Sequence, residues 1–302
     1  FTKTNEKNSK YTYRETLRKI QKYRKVYMIY IVSDSTAYLT KSEAEELNVK
    51  IAPVGYYVNG NTYAESYSDC NGDFNKIIEQ GGENNKTFHT NNSVFADIFS
   101  KLIKLGHEVL CFTLSSRLSG TYSSACIAAK EVGQDKIKVI DSLSTAGGMY
   151  FLIKKARELI NCGKNLTETA EEIEKMRDNI GVIFSVDDIT PLRKSGRMGI
   201  VKRSVNTVLN QKPILTLTEG SVVALIVSRG NVEQIMRMRD NIPADADEVA
   251  IHYAYDSLLV DKFICVLKEY CPKAKLIKRI LGPVLTIHLG CGVLGASWIK
   301  YN

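Results

Sequence analysis

The chain has 302 residues, 44% of them hydrophobic and 25% charged, a balance that fits a globular fold with a sizeable core and room for one large domain or two ordinary ones. Net charge is +8, but residues 1–26 hold nine Lys or Arg against two Glu, a net of +7, so residues 27–302 are close to neutral. That distribution argues against a nucleic-acid footprint spread over the fold. No apolar run approaches the eighteen or more residues of a membrane helix. The "YMIYIV" stretch behind the basic leader is too short for a signal-peptide core. The leader, residues 1–27, is expected to be a surface helix or a solvated extension. The seven cysteines form an odd set without C-x-x-C spacing, mostly in apolar contexts, which predicts neither disulfides nor metal and places the protein in a reducing cytoplasm.

In chain order, "MIYIVSD" (28–34) is a continuous apolar run ending in polar residues, as in a buried parallel strand. A short helix is expected at "TKSEAEELN", capped by Thr40 or Ser42. The segment 49–63 reads as two strands around a turn, with Asn59-Gly60 as a hairpin signal. Residues 91–106 put Val94, Phe95, Ile98, Phe99, Leu102 and Ile103 on one helical face. There follow a strand "EVLCFTL", a hydroxyl-rich loop, a helix from Thr121 to Val132, a strand "IKVID", a helix from "GGMYFL" to Gly163, and a helix over 165–179 with Thr167 as its cap.

From Gly181 onward strands dominate: "GVIFSV", "PILTLTEGSVVALIVS" turning at Glu219-Gly220, "EVAIHYA" and "VLTIHLG" (284–290), with helices "NVEQIMRMRDNI" and "SLLVDKFICVLKEYC" between them. The pattern predicts an α/β protein of two domains, an N-terminal doubly wound parallel sheet over 28–180 and a C-terminal α/β domain with a mixed sheet over 181–302.

Ligands of a doubly wound sheet sit beyond the carboxyl ends of its strands, and three hydroxyl-rich loops occupy that place: "SDSTA", "SSRLSGTYSS" and "DSLSTAGG". If their strands are neighbours, the loops converge. Hydroxyls, the glycine backbone at Gly120 and the N-terminus of the following helix make a good setting for an anion. Taken alone, Ser119 and Thr121 read first as helix caps. A serine nucleophile needs an oriented base. Of four histidines, His107 and His252 read as turn and core residues, which leaves His89 and His288 in loop-like or strand-end positions. There is no G-x-S-x-G elbow and no P-loop. "ITPLRKSGRMG" adds Arg193, Lys194 and Arg197, and "TIHLGCG" sets His288 before two glycines.

Together, "IVSDSTAYLT", "KTFHTNN", "LSSRLSGTYSSA", "VIDSLSTAGG", "LRKSGRMG", "KPIL" and "IHLGCG", in that order from about Ile29 onward, resemble the DegV family, fatty-acid-binding subunits of the bacterial fatty-acid kinase system. The resemblance implies a long-chain fatty acid with its tail in an apolar tunnel and its carboxylate at Thr87, Ser119, Gly120, Arg197 and His288. His89, Thr121, Ser33 and Ser35 are possible accessories. It implies no catalytic residue, no metal and no cofactor. The role implied is carriage: the protein shields the chain and presents the carboxylate to a separate fatty acid kinase subunit, with transient contact to a membrane surface. Where family members commonly carry Ser-Gln-Pro after the threonine, this chain has Phe88, His89 and Thr90. Two other readings stay open, an enzyme acting on a small anionic metabolite and a lipid-sensing regulator. A long apolar cavity behind Ser119 favours a carrier or sensor, and a short polar pocket favours the enzyme.

Overall fold

The computed structural model describes residues 28–72, 85–198 and 211–301, together with Phe74 and Ile78. The leader and residues 199–210, which include the end of the basic 193–203 stretch, lie outside the described residues. The first half runs β1 (Ile29–Asp34), α1 (Lys41–Glu46), β2 (Val49–Ala52), β3 (Gly55–Val58), β4 (Asn61–Ala64), β5 (Lys86–Phe88), α2 (Asn92–Lys104), β6 (Glu108–Thr113), α3 (Thr121–Val132) and β7 (Ile137–Asp141). Two helices follow, α4 (Gly147–Asn161) and α5 (Leu166–Met176). The second half comprises β8 (Ile180–Ser185), α6 (Thr190–Lys194), β9 (Gln211–Thr218), β10 (Ser221–Arg229), α7 (Gly230–Arg239), β11 (Glu248–Tyr253), α8 (Leu258–Tyr270), β12 (Lys275–Ile280), α9 (Pro283–Leu289) and β13 (Leu294–Ile299).

β2, β1, β6 and β7, in that spatial order, form an all-parallel sheet. Its strands are apolar throughout because both faces are covered. Ile29 and Ile31 of β1 with Leu110 and Phe112 of β6 pack on α4 and α5. Their neighbours Val32 and Cys111 point the other way, onto Phe95, Phe99 and Ala125 of α2 and α3. The second sheet, ordered β10-β9-β8-β13-β11-β12, is mixed: β11 and β12 run parallel, and the other pairs run antiparallel. α4 joins the two, since its cluster also takes in Ala250 of β11 and Ile299 of β13. Arg279 of β12 reinforces the joint. It stacks 3.6 Å over the Tyr150 ring, donates to the Tyr38 carbonyl and pairs with Glu43 at 2.7 Å.

Several sequence expectations are corrected. Segment 49–63 gives three strands: β2 enters the parallel sheet, while β3 and β4 form the hairpin at Asn59-Gly60 in a separate sheet completed by β5. The first helix is capped by Thr40 in a reciprocal box with Glu43. Helix α5 is capped by Asn165, which pairs in the same manner with Glu168, so Thr167 lies two residues past the cap, within the first turn. Residues 284–290 are helix α9 rather than a strand. A short apolar run does not distinguish a buried strand from a buried helix, but its punctuation does: Pro283 takes the first helical position and Gly290 ends it at φ 79°.

Candidate functional site

β1, β6 and β7 are neighbours, so their three C-terminal loops do converge. They are stitched together largely by their own polar groups. Leu114 N–H donates to Asp34 at 2.6 Å, Ser115 N–H to the Ser144 carbonyl, Ser116 N–H to Asp141 and Ala146 N–H to the Thr36 carbonyl. Most of the hydroxyls are spent this way. Ser33 Oγ donates to the Asp34 carbonyl, Ser35 Oγ to Glu65, and Ser115 Oγ to the Gly220 carbonyl of the β9–β10 turn. Ser33 and Ser35 are thus buried in scaffolding, away from the cavity described next.

Between the two sheets lies a cavity of about 250 Å³. Its wall is predominantly aliphatic and aromatic, with Leu118, Val182, Phe184, Leu217, Val222 and Leu285 contributed by both halves of the chain. Thr87, His89, Ser119, Gly120, Arg197 and His288 also line it, so the five residues expected at a head group, and His89 with them, stand around one cavity. Thr87, Arg197 and His288 line a second, more polar cavity of about 620 Å³ as well, together with Lys86, Asp188 and Lys194. These three therefore mark the junction between an apolar interior and a polar vestibule.

Each is positioned by a different element. Thr87 is the middle residue of β5, held by pairing with Tyr56 of β3. Its hydroxyl lies 2.8 Å from Nε2 of His288, which sits in the last turn of α9. Arg197 follows α6 through a turn at Gly196 and donates from Nε to the Leu118 carbonyl and from Nη1 to the Ser195 carbonyl. Ser119 precedes the start of α3. Its hydroxyl pairs with that of Thr121 at 3.0 Å and accepts from Thr121 N–H, while Gly120 takes the N-cap position, so Ser119 lines the cavity from just outside the helix rather than capping it. Thr121 itself is buried and supports Ser119 from behind. A methyl placed on Gly120 would stand 3.5 Å from the His89 ring, so the loop after β5 closes over the loop after β6.

Burial, reinforced by the Arg197 charge, pushes His288 down to about 4, so the imidazole is neutral at physiological pH. Among the described residues no group of three or more His, Cys, Asp or Glu is placed to hold a metal ion. No described helix is long and apolar enough to cross a membrane.

The sequence reading did not find the carboxylates behind these loops. Asp34 accepts from Thr36 N–H and Oγ1 and from Leu114 N–H, and burial raises it to about 6. Glu65 accepts from Ser35 Oγ and from Val284 N–H at the start of α9, and burial raises it to about 8. Glu65 thereby ties the helix carrying His288 to the parallel sheet. "NTYAES" holds no pattern that announces this, because its partners lie 30 and 219 residues away. His252 was read as a core histidine; it is buried, yet it also lines the cavity.

The DegV family model, described as that of an uncharacterised protein family, matches residues 28–301. The chain belongs to the DegV family. A DegV domain-containing protein of Staphylococcus aureus strain COL is 28% identical over 275 residues, covering 89% of this chain and 98% of that protein. A DegV family protein from Thermus thermophilus, whose structure is described as showing fatty acid binding, superposes with a TM-score of 0.82 at 26% identity, covering 91% of this chain and 100% of that one. DegV of Bacillus subtilis, described as a fatty acid binding protein, superposes with a TM-score of 0.79 at 26% identity over the same shares. The DegV fold, with its parallel and mixed sheets, is therefore the fold of this protein.

Proposed function

We propose that the protein binds a long-chain fatty acid, its tail in the apolar cavity and its carboxylate at the junction formed by Thr87, Ser119, the Gly120 backbone, Arg197 and His288. The observation that carries this reading is the arrangement of the wall: a predominantly apolar cavity between the sheets, three of whose polar residues, Thr87, Arg197 and His288, also line a vestibule. A small-metabolite enzyme calls for the reverse, a polar pocket with a base poised at its substrate. A carboxylate at low dielectric needs several donors or it takes up a proton instead, and two hydroxyls, a guanidinium and an imidazole supply them. The fatty acid binding described for the Thermus thermophilus and Bacillus subtilis relatives supports a fatty acid as the ligand.

Burial of each methylene contributes about 0.8 kcal/mol, so a long chain is held tightly without any chemistry on this protein. The role proposed is accordingly carriage: the vestibule is the side from which a separate ATP-dependent kinase would reach the carboxylate and form an acyl phosphate. A basic surface beside Arg193 and Lys194 would favour transient contact with anionic lipid during exchange.

The test is native mass spectrometry of the protein as purified, followed by denaturing extraction. A stoichiometric long-chain fatty acid is the expected adduct. A clean unliganded mass with no uptake of added oleate or palmitate would overturn the reading.

A further inference from the structure

The floor of the cavity is one face of the mixed sheet, and its side chains follow the register of the strands. Val182 and Phe184 of β8 and Gly295 and Ser297 of β13 alternate onto that face, whereas the side chains of Ile183, Leu294 and Ala296 pack in the core behind it. Gly295 pairs with Phe184 on one side and with His252 of β11 on the other. All three line the cavity, so the middle place of this cross-strand row has no side chain. A methyl on Gly295 would project onto the same face, 3.0 Å from Phe184 Cβ and 3.6 Å from His252 Cβ. It would also come within 3.2 Å of the Ile183 carbonyl oxygen. Ile183 lines the cavity although its side chain belongs to the opposite face, so the sheet backbone itself is bared at this point.

A glycine inside a strand costs conformational entropy and gives up packing, and it marks a bulge, a bend or a place where a ligand meets the backbone closely. Pairing of β13 runs without a register break on both of its edges, which removes the bulge. None of the three residues of the row lines the vestibule, whereas Thr87, Arg197 and His288 line both spaces. The row therefore belongs to the part of the wall that meets the acyl chain. We propose, resting on the fatty-acid reading above, that Gly295 is a specificity-determining residue: the slot it leaves between Phe184 and His252 seats the acyl chain against the bare sheet and sets the length of chain the cavity accepts.

The test is displacement of a fluorescent fatty acid by the straight saturated acids from octanoate to eicosanoate. In the intact protein, affinity is expected to rise about three- to fourfold with each added methylene until the cavity is filled. Gly295→Ala should follow the same line for the shortest acids and then break from it, binding palmitate and stearate about tenfold more weakly than the intact protein, the order of loss that overpacking brings. Phe184→Leu opens the slot from its other wall, so the double variant should recover the long acids. An equal loss at every length, no loss at any, or a break that Phe184→Leu leaves in place overturns the proposal while the fatty-acid reading stands. If Gly295→Ala does not fold, Phe184→Leu alone decides: the tightest-bound length is expected to move to longer acids, and an unchanged length overturns the proposal. Failure of the intact protein to bind any acid of the series overturns the fatty-acid reading itself, and this inference with it.

Discussion

Two polar clusters, one around Asp34 and Glu65 and one around Thr87, Ser119 and His288, have opposite fates. Around Asp34 and Glu65 every donor is matched inward: Thr36, Leu114, Ser35 and Val284 all donate to the two carboxylates. Around Thr87, Ser119 and His288 the hydroxyl of Thr87 pairs with His288 and that of Ser119 with Thr121, and all three residues line a cavity. The residue types are the same in both, hydroxyls beside an ionisable group. What separates them is whether a buried protein carboxylate already occupies the place where donors converge. The first cluster contains its own carboxyl groups, and the second is shaped to receive one.

The contrast breaks most severely at Glu65. Glu65→Ala leaves the Ser35 hydroxyl and Val284 N–H buried without an acceptor, at a cost of about 3 kcal/mol, read as a lower urea midpoint. Ser119→Ala should change the same midpoint by less than about 0.5 kcal/mol, because a half-buried hydroxyl on a cavity wall leaves little stranded behind it. Equal losses from the two variants would erase the distinction between a sealed and a receptive cluster.

The receptive cluster should answer in affinity instead. Ser119→Ala and Thr87→Val each remove a donor to the carboxylate, and each is expected to weaken oleate binding on the order of tenfold, since a hydrogen bond to a charged group contributes about 1.5–3 kcal/mol. Equilibrium displacement titrations check this, and unchanged dissociation constants in both variants would place the carboxylate elsewhere.

The pH dependence of stability separates the clusters next. A carboxyl whose folded value is raised binds its proton more tightly in the native state. Its contribution is complete below the unfolded value and is lost as pH rises through the folded one. For Glu65 that decline runs from 4.5 to about 8, and for Asp34 from 3.8 to about 6. Glu65→Gln keeps an amide in place of a protonated acid and should flatten the upper part of the decline, above pH 6, in urea midpoints measured against pH. A profile as steep as that of the wild type would show that Glu65 is not the group titrating.

The strands of the parallel sheet were legible because both faces are apolar, and the loops that follow them because hydroxyls cluster there. The five residues placed at the head group came from a resemblance of motifs. No periodicity says that β5 and the end of α9, 201 residues apart, would bring Thr87 to His288. The stretch around His288 was misread as a strand for a local reason. Val284, Leu285, Thr286, Ile287 and Leu289 make an apolar, partly β-branched run, and only Gly282-Pro283 and Gly290 mark it as a helix. Glu65 and His252 were illegible for a different reason. A buried polar side chain is defined by its partners, and these lie on other elements. Thr167 as a cap fails by two residues because Asn165 and Thr167 both suit the role, and Glu168 at the third helical position decides for Asn165.

The smallest expected effect concerns the receptive cluster alone. His288 is neutral in the unliganded protein because burial and Arg197 both disfavour its charge. A carboxylate arriving at Thr87 places a negative charge within reach of the same ring, and an adjacent anion favours the imidazolium. Binding should therefore raise the His288 value and draw a fraction of a proton from solution, most strongly on the acid side of neutrality. The sealed cluster has no such response, since its carboxylates keep their partners whether or not a ligand is bound. Calorimetric titration of oleate in two buffers of different ionisation heat measures the uptake, and His288→Gln should remove it. Uptake that persists in His288→Gln would assign the proton to the fatty acid's own carboxyl, held neutral in the cavity, and the head-group cluster would then be a set of donors and acceptors for an acid rather than for its anion.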